Sequence, residues 1–442
     1  MRIEELKEIA RESGIVGAGG AGFPSYAKMT DQADTVILNC VECEPLLHLH
    51  KQLLAAHAHE IVQMLDEVRK TMGAKEAVAG IKSEHVNTVR ILEEVVAEYP
   101  AVRVCALTSS YPMGDEVILI YEATGRVIKP GGLPIDERVV VYNTETMYNL
   151  YRAVHQQMPV TSKLVSIVGA VENPVTVRVP LGMTVKEAVL LAGKIMIKDP
   201  VYVIGGPMMG HLGTENTVIT KTTNAIIILP KDHKVVIRMH KNLDVERRRA
   251  ASSCCQCKTC TDLCPRHVLG HPIEPHRVMR AVANHDTSDL TVYTNTAYCS
   301  SCGLCENYSC PQGLSPRSVI AQFKAGLRGA GVRVPKAEPG SVDSERDFKK
   351  APVSRLKARL GLSEYDVLAA YVEDVQKAGR VSILLSQHIG APALAAVEVG
   401  EKVYEGQKIA NAPEGLSVAI HSSIDGVVET VNEKEIVIRA QH

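Results

Sequence analysis

The chain has 442 residues, of which 45% are hydrophobic and 22% charged, and its formal net charge is −1. This balance excludes a largely disordered chain and argues against a nucleic-acid-binding protein that works by bulk charge. Such a length predicts about three or four domains. No run of about 18 uncharged apolar residues occurs, so we expect no membrane span. The charged N-terminus lacks the apolar core of a signal peptide, which predicts a cytoplasmic protein.

Residues 1–157 alternate helix-like and strand-like stretches. Short apolar runs predict strands, and apolar residues at helical spacing predict helices beside them. Pro favours a first helical turn, so Pro45 is expected to open a long helix. The alternation predicts βαβ units, a mostly parallel sheet and therefore a Rossmann-like α/β domain. The expected strands are 35–39, 77–81 and 102–107, and the expected helices are 1–11, 45–70 and 84–98.

The remaining chain divides into four further segments. Residues 158–243 contain four short β-rich runs and one helix with Thr184 as its N-cap, which predicts a small α+β domain. Residues 244–332 hold nine of the 12 cysteines within short helical stretches. Residues 333–378 are predicted to form a linker and a helix, and the linker is rich in Pro, Gly and charged residues. Residues 379–442 alternate apolar and polar residues between Gly turns, which indicates a small all-β barrel or sandwich.

Two cysteine runs carry the strongest functional signal. In each run, three cysteines are separated by two residues, and a fourth cysteine precedes a proline. Three cysteines at this spacing wrap one cubane, and in two-cluster ferredoxins the fourth reaches the other cluster. Two zinc ribbons are the alternative, but zinc usually takes two separated CxxC pairs. We therefore predict one [4Fe-4S] cluster on Cys254, Cys257, Cys260 and Cys310, a second on Cys264, Cys299, Cys302 and Cys305, and a free thiol at Cys255.

A glycine-rich loop and an acidic segment suggest a nucleotide site. Residues 17–24 read GAGGAGFP, and glycines at this density let backbone N–H groups approach a phosphate or a flat ring. A simple turn is the alternative for this loop. Residues 39–45 (NCVECEP) follow a predicted strand, and two acidic groups there suit ribityl or ribose hydroxyls. Helix capping is the alternative for Glu44, and Cys40 and Cys43 are interpreted as small buried residues.

Two more segments fit the same site. Residues 111–116 (YPMGDE) follow a strand, and residues 141–146 (VYNTET) form a strand-to-helix turn. Asn143 and Thr144 at such a turn cap the helix or bind phosphate, and capping alone is the alternative for Asn143.

Together these segments resemble the flavin- and NADH-binding subunit of respiratory complex I. That family carries a GxGGAGFP loop with a lysine downstream, and N-x-x-E-x-E-P, G-E-E and N-x-E-T segments. The resemblance implies that FMN binds here and that NADH transfers a hydride to it. The implied cofactor contacts are Gly17, Gly19, Gly20, Gly22, Phe23, Lys28, Asn39, Glu42, Glu44, Gly114, Asp115, Glu116, Asn143 and Thr144.

Nearly the whole chain more closely resembles the RnfC and PduS group. This group joins the flavin fold to a soluble-ligand-binding β-grasp (SLBB) domain and a two-cluster ferredoxin domain. RnfC-type chains begin with a barrel-sandwich domain, whereas the similar stretch comes last here, as in PduS-type cobalamin reductases of bacterial microcompartments. The implied domains are 1–157 (FMN and NADH), 158–243 (β-grasp), 244–332 (helical, two [4Fe-4S]), 333–378 (linker and helix) and 379–442 (barrel-sandwich hybrid).

The resemblance implies an NADH-dependent oxidoreductase. Electrons would pass from NADH through FMN and two [4Fe-4S] clusters to a corrinoid, and the implied location is the cytoplasm or a microcompartment, with its enzymes or shell proteins as partners. No side chain needs to act as a catalytic acid or base, because the cofactors carry the chemistry. The alternative is an RnfC-like subunit of a larger complex that reduces a partner protein. A scaffold with vestigial clusters is disfavoured because all eight ligands are retained.

Three details refine the resemblance. The complex I subunit has a Phe in a Pro-rich stretch that packs on NADH, but residues 129–134 (KPGGLP) carry no aromatic. His211 is a candidate corrinoid contact in the β-grasp domain, although a surface histidine is the simpler interpretation. The C-terminal domain resembles lipoyl carriers but has no Lys at the turn 423–426, so we predict no lipoylation.

Overall fold

The first 157 residues fold around a parallel β-sheet, seen in a computed structural model that describes residues 1–441. The elements are α1 (Ile3–Glu12), β1 (Thr35–Asn39), α2 (Leu49–Ala56), α3 (Ala58–Met72), β2 (Glu76–Lys82), α4 (Val86–Val96), β3 (Val102–Leu107), β4 (Ser110–Tyr111), α5 (Glu116–Thr124), β5 (Val139–Asn143) and α6 (Thr144–Gln156). Four strands form the sheet in the order β3-β2-β1-β5, all of them parallel. The predicted parallel sheet is therefore observed.

The predicted helix from Pro45 to Lys70 is wrong at its start. The structure has two helices instead, with α2 beginning at Leu49 and a break at His57 before α3. Leu46 has a φ of 72°, a left-handed conformation that a right-handed helix does not contain. The segment after β1 is therefore a loop at the carboxyl edge of the sheet, where ligands bind in open α/β sheets.

The second domain contains β6 (Ser162–Gly169), β7 (Val175–Pro180), α7 (Val185–Leu190), β8 (Pro200–Ile204), β9 (His211–Gly213) and β10 (Ala225–Pro230). Its mixed sheet pairs β6 with β10 in parallel and with β7 antiparallel. Thr184 caps α7 as predicted, since its hydroxyl accepts a bond of 3.2 Å from the backbone N–H of Glu187. The Glu187 carboxylate bonds back to the Thr184 N–H, which completes a capping box.

The third domain is helical and lies between residues 234 and 329. Its helices are α8 (Lys234–Met239), α9 (Leu243–Ser253), α10 (Thr259–Asp262), α11 (Pro275–Ala283), α12 (Thr291–Thr294) and α13 (Pro316–Gly329). A small core of buried residues, including Ile273, Val278 and Ile320, holds α9, α11 and α13 together. Most of the cysteines lie on the loops between these helices, whereas Cys260 lies in α10, so the core supports them without covering all of them.

The later part of the segment predicted as a linker and a helix, residues 333–378, is packed against the rest of the chain. Here β11 (Ala351–Pro352) pairs with β4, and α14 (Val353–Leu360) follows directly. β12 (Ala370–Val372) then pairs with β7 and completes a six-stranded sheet in the order β12-β7-β6-β10-β8-β9. A strand was not expected in this segment. Its composition suggested a linker, and only its tertiary neighbours supply the hydrogen bonds.

The C-terminal domain is all β, as predicted. It contains β13 (Arg380–Leu384), β14 (Leu394–Ala395), β15 (Lys402–Val403), β16 (Lys408–Asn411), β17 (Ile420–His421), β18 (Gly426–Val431) and β19 (Glu435–Ala440). Two sheets, β13-β19-β18-β15 and β14-β16-β17, face each other. Their buried residues, such as Val381, Ile409 and Ile436, share one core with Val165 and Ile226 of the second domain. Among the described residues, no helix has the length and apolar character needed to cross a membrane.

Candidate functional site

A cavity of about 1260 Å³ opens at the carboxyl ends of β1 and β5. Its walls come from the N-terminal domain, the β-grasp domain and the C-terminal barrel, and Cys302 adds a wall from the helical domain. All but one of the predicted cofactor contacts line it. These are Gly17, Gly19, Gly20, Gly22, Phe23, Lys28, Asn39, Glu42, Glu44, Gly114, Asp115, Glu116 and Asn143.

The glycine-rich loop is a closed turn whose tip faces the cavity. The Gly17 N–H donates to the Phe23 carbonyl at 2.9 Å, and the Ala18 N–H donates to the Thr146 hydroxyl at 3.0 Å. At Gly19, a Cβ would lie 2.6 Å from the Asn143 amide nitrogen, so a larger residue would have to displace the Asn143 side chain. The loop is therefore held at its base and leaves backbone donors free at its exposed tip.

Asn39 and Asn143 end neighbouring strands and shape the floor of the cavity. The Asn39 amide donates to the Gly114 carbonyl at 3.0 Å, and its oxygen accepts from the Val41 N–H at 3.0 Å. A Cβ at Gly114 would collide with the Val41 carbonyl, so the two loops touch through their backbones. Asn143 caps α6 by accepting from the Glu145 N–H at 2.9 Å, as its capping interpretation predicted.

A buried acid–histidine cluster lies beneath this floor. Glu42 accepts from the His50 N–H at 3.2 Å, and its Oε1 has no hydrogen-bond partner among the described residues. Burial raises the pKa of Glu42 to about 7 and lowers the pKa of His50 to about 4. Glu145 lies 3.9 Å from the other side of His50 and forms a fully buried ion pair with Lys163. His50 is therefore neutral, and Glu42 is the carboxyl with an unused acceptor.

Glu44 does not cap a helix, because none begins there. Its two carboxylate oxygens each accept a bond of 2.9 Å, from the backbone N–H groups of Met208 and Met209 in the β-grasp domain. Burial raises the pKa of Glu44 to about 7, although these two bonds oppose that rise. Glu44 thus joins two domains at the rim of the cavity.

Asp115 and Glu116 both bind positively charged side chains. Asp115 caps α5 through the N–H groups of Val117 and Ile118, and it receives two bonds of 2.8 and 2.9 Å from Arg266. Arg266 follows the first cysteine run by two residues, so this pair ties the cavity to the cysteine loops. Lys28 donates to Glu116 at 3.1 Å and lies 5.9 Å from the centre of the Phe23 ring.

The first predicted cluster group, here called the surface-side group, consists of Cys254, Cys257, Cys260 and Cys310. All four line one small cavity, together with Gln256 and His276. Burial and the charges of the other three cysteines raise the pKa of Cys260 to about 12. Cys257 and the neighbouring Cys255 are exposed to solvent. The fold thus brings the fourth cysteine of the second run to the first run, as the spacing predicted.

The second group, here called the cavity-side group, consists of Cys264, Cys299, Cys302 and Cys305. Burial and the charges of Cys264 and Cys299 raise the pKa of Cys302 to about 12, and the same neighbours act on Cys305. The Tyr111 hydroxyl donates to the Cys302 carbonyl at 2.6 Å, which joins this group to the N-terminal domain. Among residues 1–441, no three His, Cys, Asp or Glu side chains converge as a single metal ion requires.

Several lining residues were missed by the sequence reasoning, and one predicted residue lies elsewhere. Thr144 is fully buried and donates to the Asn39 carbonyl at 3.1 Å, so Thr146 and not Thr144 lines the cavity. Residues 129–134 do not reach the cavity, because Gly131 lies against Tyr298 and Pro335. Tertiary packing brings in many others, among them His50, Gly206, Met209, Thr223, Cys302 and Arg380. His211 was a candidate corrinoid contact, and it does line the wall.

Models of four protein families match the chain. The Nuo51 FMN-binding domain matches residues 10–152, the SLBB domain 164–211, the 4Fe-4S dicluster domain 253–315 and the RnfC barrel sandwich hybrid domain 368–441. These matches confirm the predicted fold class, and they confirm FMN and two [4Fe-4S] clusters as cofactors. The zinc-ribbon alternative is thereby removed.

Proteins of similar sequence include two that match along almost the whole chain. The cobalamin reductase PduS of Salmonella typhimurium is 39% identical over 437 residues, which are 98% of this chain and 96% of that protein. PduS of Citrobacter freundii is 37% identical over 438 residues, with the same coverage. One subunit of the proton-translocating ferredoxin:NAD(+) oxidoreductase complex of Clostridium ljungdahlii is 32% identical over 274 residues, which are 61% of this chain and 57% of that protein.

Solved structures of NAD+-reducing [NiFe]-hydrogenase also align with the chain. The H2-reduced form covers 75% of this chain and 68% of its own, at a TM-score of 0.48 and 17% identity. The air-oxidized form covers 82% of this chain and 66% of its own, at a TM-score of 0.47 and 17% identity.

Proposed function

Since this chain belongs to the PduS family of cobalamin reductases, we propose that it takes electrons from NADH at the cavity and delivers them singly to a corrinoid. The single observation that carries the proposal is the position of Cys302, which belongs to the cavity-side group and also lines the cavity. One cysteine group thus meets the donor site directly, while the other opens to solvent.

The residues of the cavity fit FMN. Buried polar atoms without a partner are costly, and the Glu42 Oε1 and Tyr142 hydroxyl are two such atoms at this cavity. Glu42 is placed to bind hydroxyls of the ribityl chain, and the tip of the glycine loop offers backbone donors to a phosphate. Bound flavin accepts a hydride and releases electrons one at a time, which is the chemistry that the group supplies.

The cavity is larger than one cofactor needs. Ligand pockets for single small molecules measure roughly 300–1,000 Å³, against about 1260 Å³ here. We assign the remaining space to NADH, with Phe23 and Lys28 on the flavin side and the β-grasp wall around Thr223 opposite. The carbonyl of Val141 and the Glu116 carboxylate hold Lys28 in place, at 3.2 and 3.1 Å.

In this proposal, electrons leave the protein from the surface-side group. Cys257 is exposed, and its thiol accepts a bond of 3.3 Å from the Thr259 hydroxyl. The cavity-side group is screened from solvent by the N-terminal domain, because Tyr111 and Arg266 link its loops to that domain. Electrons therefore enter at the cavity-side group and leave at the surface-side group.

Anaerobic reconstitution tests the proposal. About eight irons and one FMN per chain are expected, and NADH should bleach the flavin and then the clusters before a corrinoid is reduced. A preparation with zinc and no flavin, or with flavin that NADH does not bleach, would contradict it. A chain that binds both cofactors but reduces only a protein acceptor would favour the RnfC-like alternative.

A microcompartment location belongs to the same proposal. It is supported by the order of domains, in which the barrel-sandwich hybrid comes last. Fractionation of cells that express the tagged chain tests it, and a chain absent from purified compartments would contradict it.

A further inference from the structure

A loop of the β-grasp domain, residues 205–210, lies between the cavity and the chain that follows Cys302, whereas Cys302 itself lines the cavity. Two backbone hydrogen bonds of 2.8 Å hold its ends. The Gly205 N–H donates to the Ala225 carbonyl, and the Gly210 N–H donates to the Gly206 carbonyl. Met208 in its centre is fully buried, whereas Met209 is exposed and lines the cavity. The loop is thus a fixed element with one side toward each redox site.

Glu44 holds the cavity side of this loop. Both of its carboxylate oxygens are occupied by consecutive backbone N–H groups, those of Met208 and Met209. At Gly206, any Cβ would collide with the Glu44 carboxylate. The contact is therefore built from both sides: a carboxylate with two donors on the loop, and a glycine that leaves room for it.

The other side of the loop contacts the chain around Cys302. The Arg317 guanidinium donates to the Met208 carbonyl at 3.0 Å. A Cβ on Gly303, the residue after Cys302, would lie 3.4 Å from that same carbonyl. The Asn307 amide lies 3.6 Å from the Met208 sulfur. A continuous series of contacts therefore runs from Glu44 through Met208 to the cavity-side cysteine loop.

We propose that Glu44 is a positioning residue, which fixes the cavity-side cluster relative to the flavin through the 205–210 loop and does not bind the flavin itself. The resemblance to the complex I subunit implied a cofactor contact at this position. Here both carboxylate oxygens already accept bonds from the loop, and no third group is needed to satisfy them. The inference rests on the proposed function, because it concerns the step between flavin and cluster.

Glu44→Ala tests this in the full, reconstituted protein by anaerobic stopped-flow. Bleaching of the flavin by NADH should keep its wild-type rate, and flavin content should stay unchanged. Reduction of the clusters should slow about tenfold or more, because the backbone N–H groups of Met208 and Met209 lose their acceptor and the loop shifts. Glu44→Gln keeps one acceptor oxygen and should fall between the two. Glu76→Ala, the same change at an exposed pair in the same domain, is the matched control.

Gly206→Ala tests the same contact between Glu44 and the 205–210 loop by a change in the loop. Its added Cβ should displace Glu44 and slow cluster reduction in the same way. In the double variant Glu44→Ala with Gly206→Ala, the collision no longer exists, so the glycine substitution should add little. This non-additivity is not expected if either variant only destabilises its own domain.

The outcomes are distinguishable from failure of the proposed function. Wild-type flavin that NADH does not bleach would contradict the proposed function and not this inference alone. Loss of flavin, or slow bleaching, in Glu44→Ala would make Glu44 a cofactor contact and overturn the inference. Wild-type rates for both phases in Glu44→Ala and Gly206→Ala would also overturn it.

Discussion

The two cysteine groups have nearly the same spacing and different surroundings. Each run has three cysteines at the same spacing and a fourth before a proline. In the surface-side group, Cys257 is exposed, whereas Cys302 and Cys305 of the cavity-side group are buried. The difference arises outside the runs, because the N-terminal domain covers one group through Tyr111 and leaves the other at the surface. A repeated motif thus has two surroundings: one group borders the cavity and the other reaches the surface, and in the proposed function these are the donor and acceptor sides.

Removing one cysteine from each group should have the largest effect and should separate the roles of the two groups. Cys302→Ala and Cys257→Ala should each leave about four irons per chain in place of about eight. Both should abolish corrinoid reduction by NADH, but only Cys257→Ala should keep a cluster that NADH reduces, seen by electron paramagnetic resonance. Ferricyanide reduction, which takes electrons from the flavin, is the control and should persist in both. A surface-side cluster that NADH still reduces at the wild-type rate in Cys302→Ala would contradict the order of the groups.

Arg266→Ala tests what covers the cavity-side group. The substitution leaves the partly buried Asp115 carboxylate without its cation, which should cost about 3 kcal/mol of unfolding free energy. Chemical denaturation of the loaded protein measures this. Arg103→Ala breaks an exposed pair with Glu76 and should cost less than about 1 kcal/mol. Equal effects of the two substitutions would show that the Arg266 pair does not join the domains.

Glu42→Gln tests how the buried Glu42 carboxyl makes the free energy of unfolding depend on pH. Burial raises the pKa of Glu42 to about 7 in the folded protein, above its ordinary value of 4.5. Between these values the unfolded chain ionises while the folded carboxyl stays protonated, so stability falls as pH rises through this window. The Gln side chain does not titrate, so the variant should lose up to about 3 kcal/mol less unfolding free energy across this pH window. Apoprotein denaturation between pH 4.5 and pH 7 measures it, and an unchanged slope would contradict the assignment.

Thr259→Val should have the smallest effect, confined to the surface-side group. Its hydroxyl donates to the Cys257 sulfur at 3.3 Å, and such bonds favour the more negative, reduced cluster. Loss of about 1 kcal/mol corresponds to a potential lower by roughly 40 mV for one electron. A redox titration should show this shift in one cluster only. Thr430→Val on the barrel surface is the control, and a shift in both clusters would contradict the separation of the groups.

Local patterns predicted much of the fold. The strands at 35–39 and 102–107 are observed with these bounds; the first is a buried run, and the second is buried at Val102 and Leu107. The Thr184 cap is also observed. The helix from Pro45 and the unexpected strand Ala370–Val372 within residues 333–378 are two departures. In both, the local composition was compatible with several structures, and contacts with distant residues selected one.

The chemistry was determined by the sequence alone, because cysteine and glycine spacing acts over a few residues. The spacing specified two [4Fe-4S] clusters and predicted the exchange of the fourth ligand between runs, and the glycine loop indicated a flavin site. Only the tertiary structure decided where each group lies. Cys302 lines the cavity, and Glu44 binds a loop more than 160 residues away. Such placement depends on packing between whole domains, which no local pattern encodes.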